Sequence, residues 1–262
     1  MRSFKVANWR ADYAELVQTV IRSGVKRPSR AGPTLDLGPV TLMTQEWVPF
    51  LSLAGREKST EFARLEQLLY LAGQEPLILG QRYPRYRELC EEEGGYHGAY
   101  GPRLHVGVRK VLRLLRDLPD SRRAVIPIWQ PDDLTIAATA KDVPCSLSLG
   151  FGVDDGHLDC YVYMRSCDVW LGLYYDLPAF SGYHHMVAYA LDVLPGNLWL
   201  TASSLHLYER DLGRAHYVDA LEDHPFILVG PELLFGKDPV ARWEEIEVWA
   251  AELLERERSR ED

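Results

Sequence analysis

An α+β fold in one domain is predicted by three features of the sequence. Two runs of strand character, 147–151 and 158–164, flank the turn triplet Asp154-Asp155-Gly156, the signature of a β-hairpin. Around this hairpin lie stretches with the apolar period of helices. No Ser/Gly-rich linker, low-complexity tract or internal repeat divides the 262 residues, 47% of them hydrophobic, so one large core can form.

The first helix is predicted over 12–24, where Leu16, Val17, Val20 and Ile21 share a face and Gly24 ends it. After the loop KRPSRAGPT, strands are expected within 35–50. Residues 59–73 read as a Ser-capped helix with a Gly stop. Glu66 stands among apolar residues there, and a carboxylate bordering a core needs a reason because burying it unpaired is costly. Residues 104–117 form an amphipathic helix on Val108, Val111, Leu112 and Leu115, closed by Pro119, with Lys110, Arg113 and Arg116 on its solvated face. Arg122 and Arg123 are expected at the start of a strand, pointing to opposite faces.

Cys145 follows Pro144 at the mouth of the first hairpin strand. The hairpin returns Arg165 and Ser166 toward it, and a cation beside a thiol favours the nucleophilic thiolate. A buried helix is predicted over 180–194. Its His184-His185 pair points about a hundred degrees apart, with no carboxylate or Cys at a ligand-like offset, so no metal site is expected. His206 and Tyr208 share one face of a strand. The last helix, 238–256, has an Asp cap, Pro239 at its first position, and a stripe of Val240, Trp243, Ile246, Ala250 and Leu253.

Composition narrows the function. No apolar run approaches membrane-spanning length and the N-terminus has no secretory segment, so a cytoplasmic protein is expected. Four cysteines without CxxC spacing (Cys90, Cys145, Cys160, Cys167) fit reduced thiols. A net charge of −9 argues against binding nucleic acid or anionic membranes, though a few arginines can still hold an anionic substrate.

Pro144-Cys145, Arg165-Ser166-Cys167-Asp168 and Leu171-Gly172-Leu173 stand in order, with Pro119-Asp120-Ser121-Arg122-Arg123 upstream and Ser203-Ser204-Leu205-His206-Leu207-Tyr208 downstream. This wording resembles the catalytic core of the thymidylate synthase family, over roughly two thirds of the chain. The resemblance implies one thymidylate-synthase-like domain over 1–262, with a large mixed sheet flanked by helices. It also implies a sheet-to-sheet homodimer and a divergent C-terminal helix at about 238–258.

It further implies roles. Cys145 attacks a pyrimidine nucleotide, and Glu66, at the family's spacing from Gly73, relays protons. Arg30, Arg165 and Ser166 grip the phosphate, while Arg122 and Arg123 reach the partner subunit's phosphate. Asp168, Gly172 and Asp176 face the base, and His206 and Tyr208 the sugar. Tyr86 and Leu89 occupy two tryptophan positions and, with Asp168, face the folate, 5,10-methylenetetrahydrofolate. No metal is implied.

Three departures bear on specificity. Leu173-Tyr174-Tyr175-Asp176 replaces a segment ending in Asn that reads uracil, and Asn-to-Asp marks the cytidylate hydroxymethylases of the family. An Asp suits cytosine, accepting from the N4 amino group and from a protonated N3. The alternative is an Asp capping a helix before Pro178. Tyr86 and Leu89 in place of tryptophans, and a charged last helix in place of a closing apolar tail, suggest a site that admits water. The expectation is 5-hydroxymethylation of CMP or dCMP. A methyl-transferring synthase is the alternative, and a non-catalytic nucleotide-binding relative is disfavoured by Cys145 and Glu66. The strands at 35–50 lack the family's Lys-Arg pair, and Ser203, Ser204 and Leu205 replace its Gly-Asp-bearing residues near the sugar.

Overall fold

The computed structural model describes residues 2–45, 47–53, 59–92, 94–218, 221–223 and 238–259. The first half runs β1 (Arg2–Lys5), α1 (Trp9–Ser23), β2 (Val25–Arg27), β3 (Thr34–Asp36), β4 (Val40–Thr44), β5 (Leu51–Leu53), α2 (Ser59–Ala72), α3 (Leu77–Arg82), α4 (Pro84–Arg87) and α5 (Tyr100–Asp117). The second runs β6 (Val125–Pro127), α6 (Pro131–Ile136), β7 (Ser146–Asp154), β8 (His157–Met164), β9 (Cys167–Asp168), α7 (Leu173–Leu191), β10 (Leu194–Ala202), β11 (Leu205–Tyr208), α8 (Leu212–Ala215), β12 (Leu221–Asp223) and α9 (Pro239–Arg258).

The fold is α+β, as expected. A six-stranded sheet has the order β1-β4-β10-β8-β7-β6. It is mixed: β1 pairs parallel with β4 and β8 with β10, and the other neighbours are antiparallel. Smaller sheets join β2-β3-β11-β9 and β12-β5. Along β8 burial alternates, so Leu158, Cys160, Val162 and Met164 enter the core and His157 and Tyr163 face out. Helix α7 lies on β8 and β10 and is covered by α2, α5 and α9, which is why most of its residues are apolar and buried.

The β7–β8 hairpin closes as predicted. Asp155 and Gly156 have φ of 46° and 74° between the paired Asp154 and His157, the two left-handed residues of a primed turn. At its other end the register shifts between Ser146 and Ser148, a bulge directly beside Cys145.

Several boundaries differ from expectation. Helix α1 starts at Trp9, capped by Asn8 accepting from the Ala11 N–H, because Trp9 and Tyr13 bury a ring pair at 5.0 Å. Helix α5 starts at Tyr100, and its Gly101 and Pro102 are tolerated in a first turn. Helix α7 begins at Leu173 rather than 180 and carries Pro178 inside it. The lost N–H is outweighed by burial on every side, and the buried Gln67 side chain donates to the Pro178 carbonyl at 3.4 Å. Arg122 and Arg123 sit in an exposed turn, because β6 begins only at Val125. The cap of α2 lies outside the described residues, whereas its stop at Gly73, with φ of 64°, is present. Helix α9 is capped by Asp238, which accepts from the Val240 N–H at 2.9 Å. Of the charged tail after it, 260–262 lie outside the described residues. None of the described helices is long and apolar enough to cross a membrane.

Candidate active site

A cavity of about 460 Å³ opens where α2, α4, the first turn of α7 and the chain segment before β7 converge. Helix α2 contributes Phe62, Glu66 and Tyr70, spaced four residues apart and so stacked on one face. The stretch around α4 adds Tyr83, Arg85, Tyr86 and Leu89; the approach to α7 adds Leu171, Gly172, Tyr175 and Asp176. Asp142, Val143, Pro144 and Cys145 form a further wall, together with Gly98 and Tyr100.

Six residues singled out from the sequence therefore line one cavity: Glu66, Tyr86, Leu89, Cys145, Gly172 and Asp176. Position 172 is close-packed: a Cβ there would lie 3.0 Å from the Asp168 carbonyl oxygen and 3.2 Å from Asp176 Oδ2, so a side chain would have to displace one of them by a few tenths of an ångström. Asp176 lies inside the first turn of α7, and no side chain caps that helix, so it has no capping role.

The segment carrying Cys145 is held by polar groups on several sides. The Arg165 N–H bonds the Cys145 carbonyl at 2.9 Å. Its guanidinium donates to Pro144 O at 2.9 Å and Val143 O at 3.0 Å and reaches Cys145 Sγ at 3.8 Å. Arg30 donates to Ala140 O at 3.1 Å and Lys141 O at 3.3 Å. The Tyr100 hydroxyl accepts from the N–H groups of Cys145 and Ser146 at 3.2 and 3.0 Å.

The remaining candidates are not among the cavity's lining residues. Asp168 uses Oδ1 to accept the Trp170 N–H at 2.9 Å, which shapes the turn leading to Gly172. Ser166 stands half-buried between β8 and β9. His206 and Tyr208 face each other edge-on at 5.2 Å on β11, and the Arg210 guanidinium lies 4.0 Å from the Tyr208 ring. Arg122 lines a separate depression with Tyr161 and Tyr163 on the outer face of the large sheet, and Arg123 borders another beside α5. His184 and His185 each bond a backbone carbonyl, of Leu158 and Ser181. Among the described residues no group of His, Cys, Asp and Glu could hold a metal.

Electrostatics set the resting protonation. Burial, and then the Asp176 charge, pushes Glu66 up to about 8, and its Oε2 is buried without a partner. Burial, with Asp168 adding, raises Asp176 to about 7; Asp168 itself rises to about 6 through burial. Burial pushes the Cys145 thiol up to about 11, against the lowering by Arg165 and with Asp176, Asp142 and Asp168 adding to the rise. This corrects the expectation of a resting thiolate: Arg165 is in place, but desolvation and three acids outweigh it. The site can hold a poised thiol beside two carboxyl groups that exchange protons near neutrality.

Sequence reasoning missed Asp142, Phe62, Tyr70, Arg85 and Tyr175. Phe62 and Tyr70 follow from the four-residue spacing around Glu66. Nothing in the spacing of Asp142 set it apart from a turn residue.

The family model described as thymidylate synthase matches residues 97–239. Among solved structures, the crystal structure of thymidylate synthase from T4 phage is similar, with a TM-score of 0.69 and 20% identity over 90% of this chain and 91% of that one. At that identity the structural likeness speaks for the fold. The family match spans the Cys145 loop, the hairpin, α7 and β11. The chain therefore belongs to the thymidylate synthase family, one-carbon transferases that act on pyrimidine nucleotides with a folate.

Proposed function

We propose that this chain is a folate-dependent 5-hydroxymethylase of a cytidine monophosphate, CMP or dCMP. The observation that carries the reading is Asp176, an acid in the cavity wall with Cys145 and Glu66 rather than a helix cap. A carboxyl with a pKa of about 7 can hold one proton jointly with cytosine N3 and accept from the N4 amino group. Moving that proton onto N3 makes C6 a better electrophile. Opposite uracil, the ionised acid would leave O4 unpaired and repelled, a cost of about 1–3 kcal/mol.

Cys145 adds through sulfur to C6 of the ring, its thiol proton passing to the neighbouring carboxylates, and C5 becomes nucleophilic. Phe62, Tyr83, Tyr86 and Tyr175 provide aromatic walls that fit a flat folate ring. Bound 5,10-methylenetetrahydrofolate would supply the carbon at C5 and leave as tetrahydrofolate, so that an exocyclic methylene remains. Glu66, which lines the cavity and has one buried oxygen without a partner, takes the C5 proton and holds the water that adds to the exocyclic methylene. Release of the sulfur then restores the aromatic ring. Tyr86 and Leu89 shield less surface than two indoles, which favours water over hydride.

Arg30, Arg165 and Ser166 are read as phosphate ligands, His206 and Tyr208 as sugar ligands, and Asp168 and Gly172 as shaping the base side. Arg122 and Arg123 are exposed and away from this chain's own cavity. They are read as serving the partner's site in a homodimer formed across the outer sheet face, where Val125 and Tyr163 are half exposed. Incubation of CMP, dCMP, UMP and dUMP with the folate, followed by mass spectrometry, tests the proposal. The expected product is a 5-hydroxymethylcytidylate without dihydrofolate. A 5-methyl product with dihydrofolate would establish the methyl-transferring alternative instead.

A further inference from the structure

Asp142 lines the cavity with Glu66 and Asp176, and it is the one of the three whose chemistry is still unassigned. It stands three residues before Cys145 in the same wall, half-buried, and its carboxylate occupies the space over Gly98, where a Cβ would lie 2.1 Å from Oδ2. One backbone N–H, that of Val143, bonds the side chain. A carboxylate has about four acceptor sites, so this one has capacity for a further donor. Arg165 and Arg30 attract it, but their guanidinium groups also bond the carbonyls of Val143 and Pro144 and of Ala140 and Lys141. The Asp142 charge is felt by Cys145 and by Tyr86, one of the two residues whose smaller side chains leave the site open to water. Burial raises its pKa above the ordinary carboxylate value, which makes it a stronger base.

The proposed hydration leaves one proton without a carrier. Water that bonds to the exocyclic methylene must lose a proton, and the Cys145 sulfur, whose thiol pKa is pushed up to about 11, must gain one as it leaves. Glu66 has by then taken the C5 proton, and with a pKa of about 8 it keeps a proton at neutral pH. Asp176 shares its proton with cytosine N3 in that reading, and Asp168 keeps the folate-facing role that the resemblance gives it.

Resting on the hydroxymethylation proposed above, we infer that Asp142 is the proton carrier of this step, the base for the incoming water and the acid for the departing sulfur. The water oxygen bonds to the methylene carbon and its proton goes to Asp142. The π pair between the methylene carbon and C5 moves to the C5–C6 bond, and the C6–S bond breaks with its pair on sulfur. The proton then passes from Asp142 to that sulfur, which restores both the thiol and the carboxylate.

Two outputs of one reaction test this: tritium released from C5-labelled CMP or dCMP, and 5-hydroxymethyl nucleotide formed, with 5,10-methylenetetrahydrofolate present. In the wild type the two should match. D142N should make about 100-fold less product or lower still, yet keep tritium release within about threefold, because the stalled adduct can reverse after its label has gone to water. The thiolate of 2-mercaptoethanol, at about pH 9, attacks the methylene without a base and should divert D142N to the 5-thioether. Retained tritium release also reports that D142N is folded, and D142S carries the same expectation should D142N melt early. Unchanged product in D142N would overturn the inference and leave hydroxymethylation standing. So would a loss of tritium release equal to the loss of product, without thioether, in a variant that melts as the wild type does. A wild type that makes the 5-methyl product with dihydrofolate would overturn both.

Discussion

Asp176 and Glu66 are unusual acids because each sits where ionisation is penalised, by burial and by a neighbouring carboxylate. The sign of the consequence follows from linkage. Folded pKa values of about 7 and about 8 lie above the ordinary 3.8 and 4.5, so the native state keeps protons that the unfolded chain has released. Their stabilisation is complete below the unfolded values and is lost as pH rises through the folded ones. Thermal melts of the free protein should therefore fall in Tm from about pH 5 to 9, and Glu66→Gln should flatten that slope. An unchanged slope in the variant would place the titrating group elsewhere. Asp176 also raises the Cys145 pKa. Asp176→Asn should speed iodoacetamide alkylation of Cys145 at neutral pH, followed by peptide mass spectrometry to separate it from Cys90. The same variant should shift base preference toward uridylate, by about tenfold or more if the hydrogen-bond pattern is what selects.

At the scale of elements, α2 and α7 place the acids, and their spacing depends on Gly182. A Cβ there would fall 1.5 Å from Gln67 Nε2 and 2.6 Å from its Cδ, so the two helices touch through a glycine and a buried amide. Gly182→Ala should destabilise the fold by about 1–3 kcal/mol and displace Glu66, the residue next to Gln67. Adding Gln67→Ala should recover part of the loss, a coupling readable in a double-mutant cycle by urea unfolding. Additive losses would show that the helices do not meet there.

For the molecule as a whole, α9 acts as a brace. Its buried Glu257 pairs with Arg64 and, at 3.6 Å, with Arg82, and Glu247 takes the Trp243 indole N–H at 2.8 Å and also bonds Arg109. These contacts anchor the helix to α2, α3 and α5. The proposed dimer can be tested by complementation. Refolding a mixture of Cys145→Ala chains with Arg122→Ala/Arg123→Ala chains should restore about a quarter of wild-type activity. Half of the dimers are then mixed, and each has one intact site. If the arginines serve their own chain, the mixture stays inactive.

The sequence alone determined the hairpin, the stop at Gly73, the stripes of α5 and α9 and the family, because these depend on local turn chemistry, periodicity and wording. Cys145, Glu66 and Asp176 were also nameable there, since each stands in a short motif. The tertiary structure decided the rest. Burial carried α7 through Pro178 to Leu173, and packing placed Asp142 in the cavity. Burial and the summed field of three acids against one arginine left Cys145 a neutral thiol. Desolvation and through-space charge depend on what surrounds a group in three dimensions, and no spacing along the chain records that.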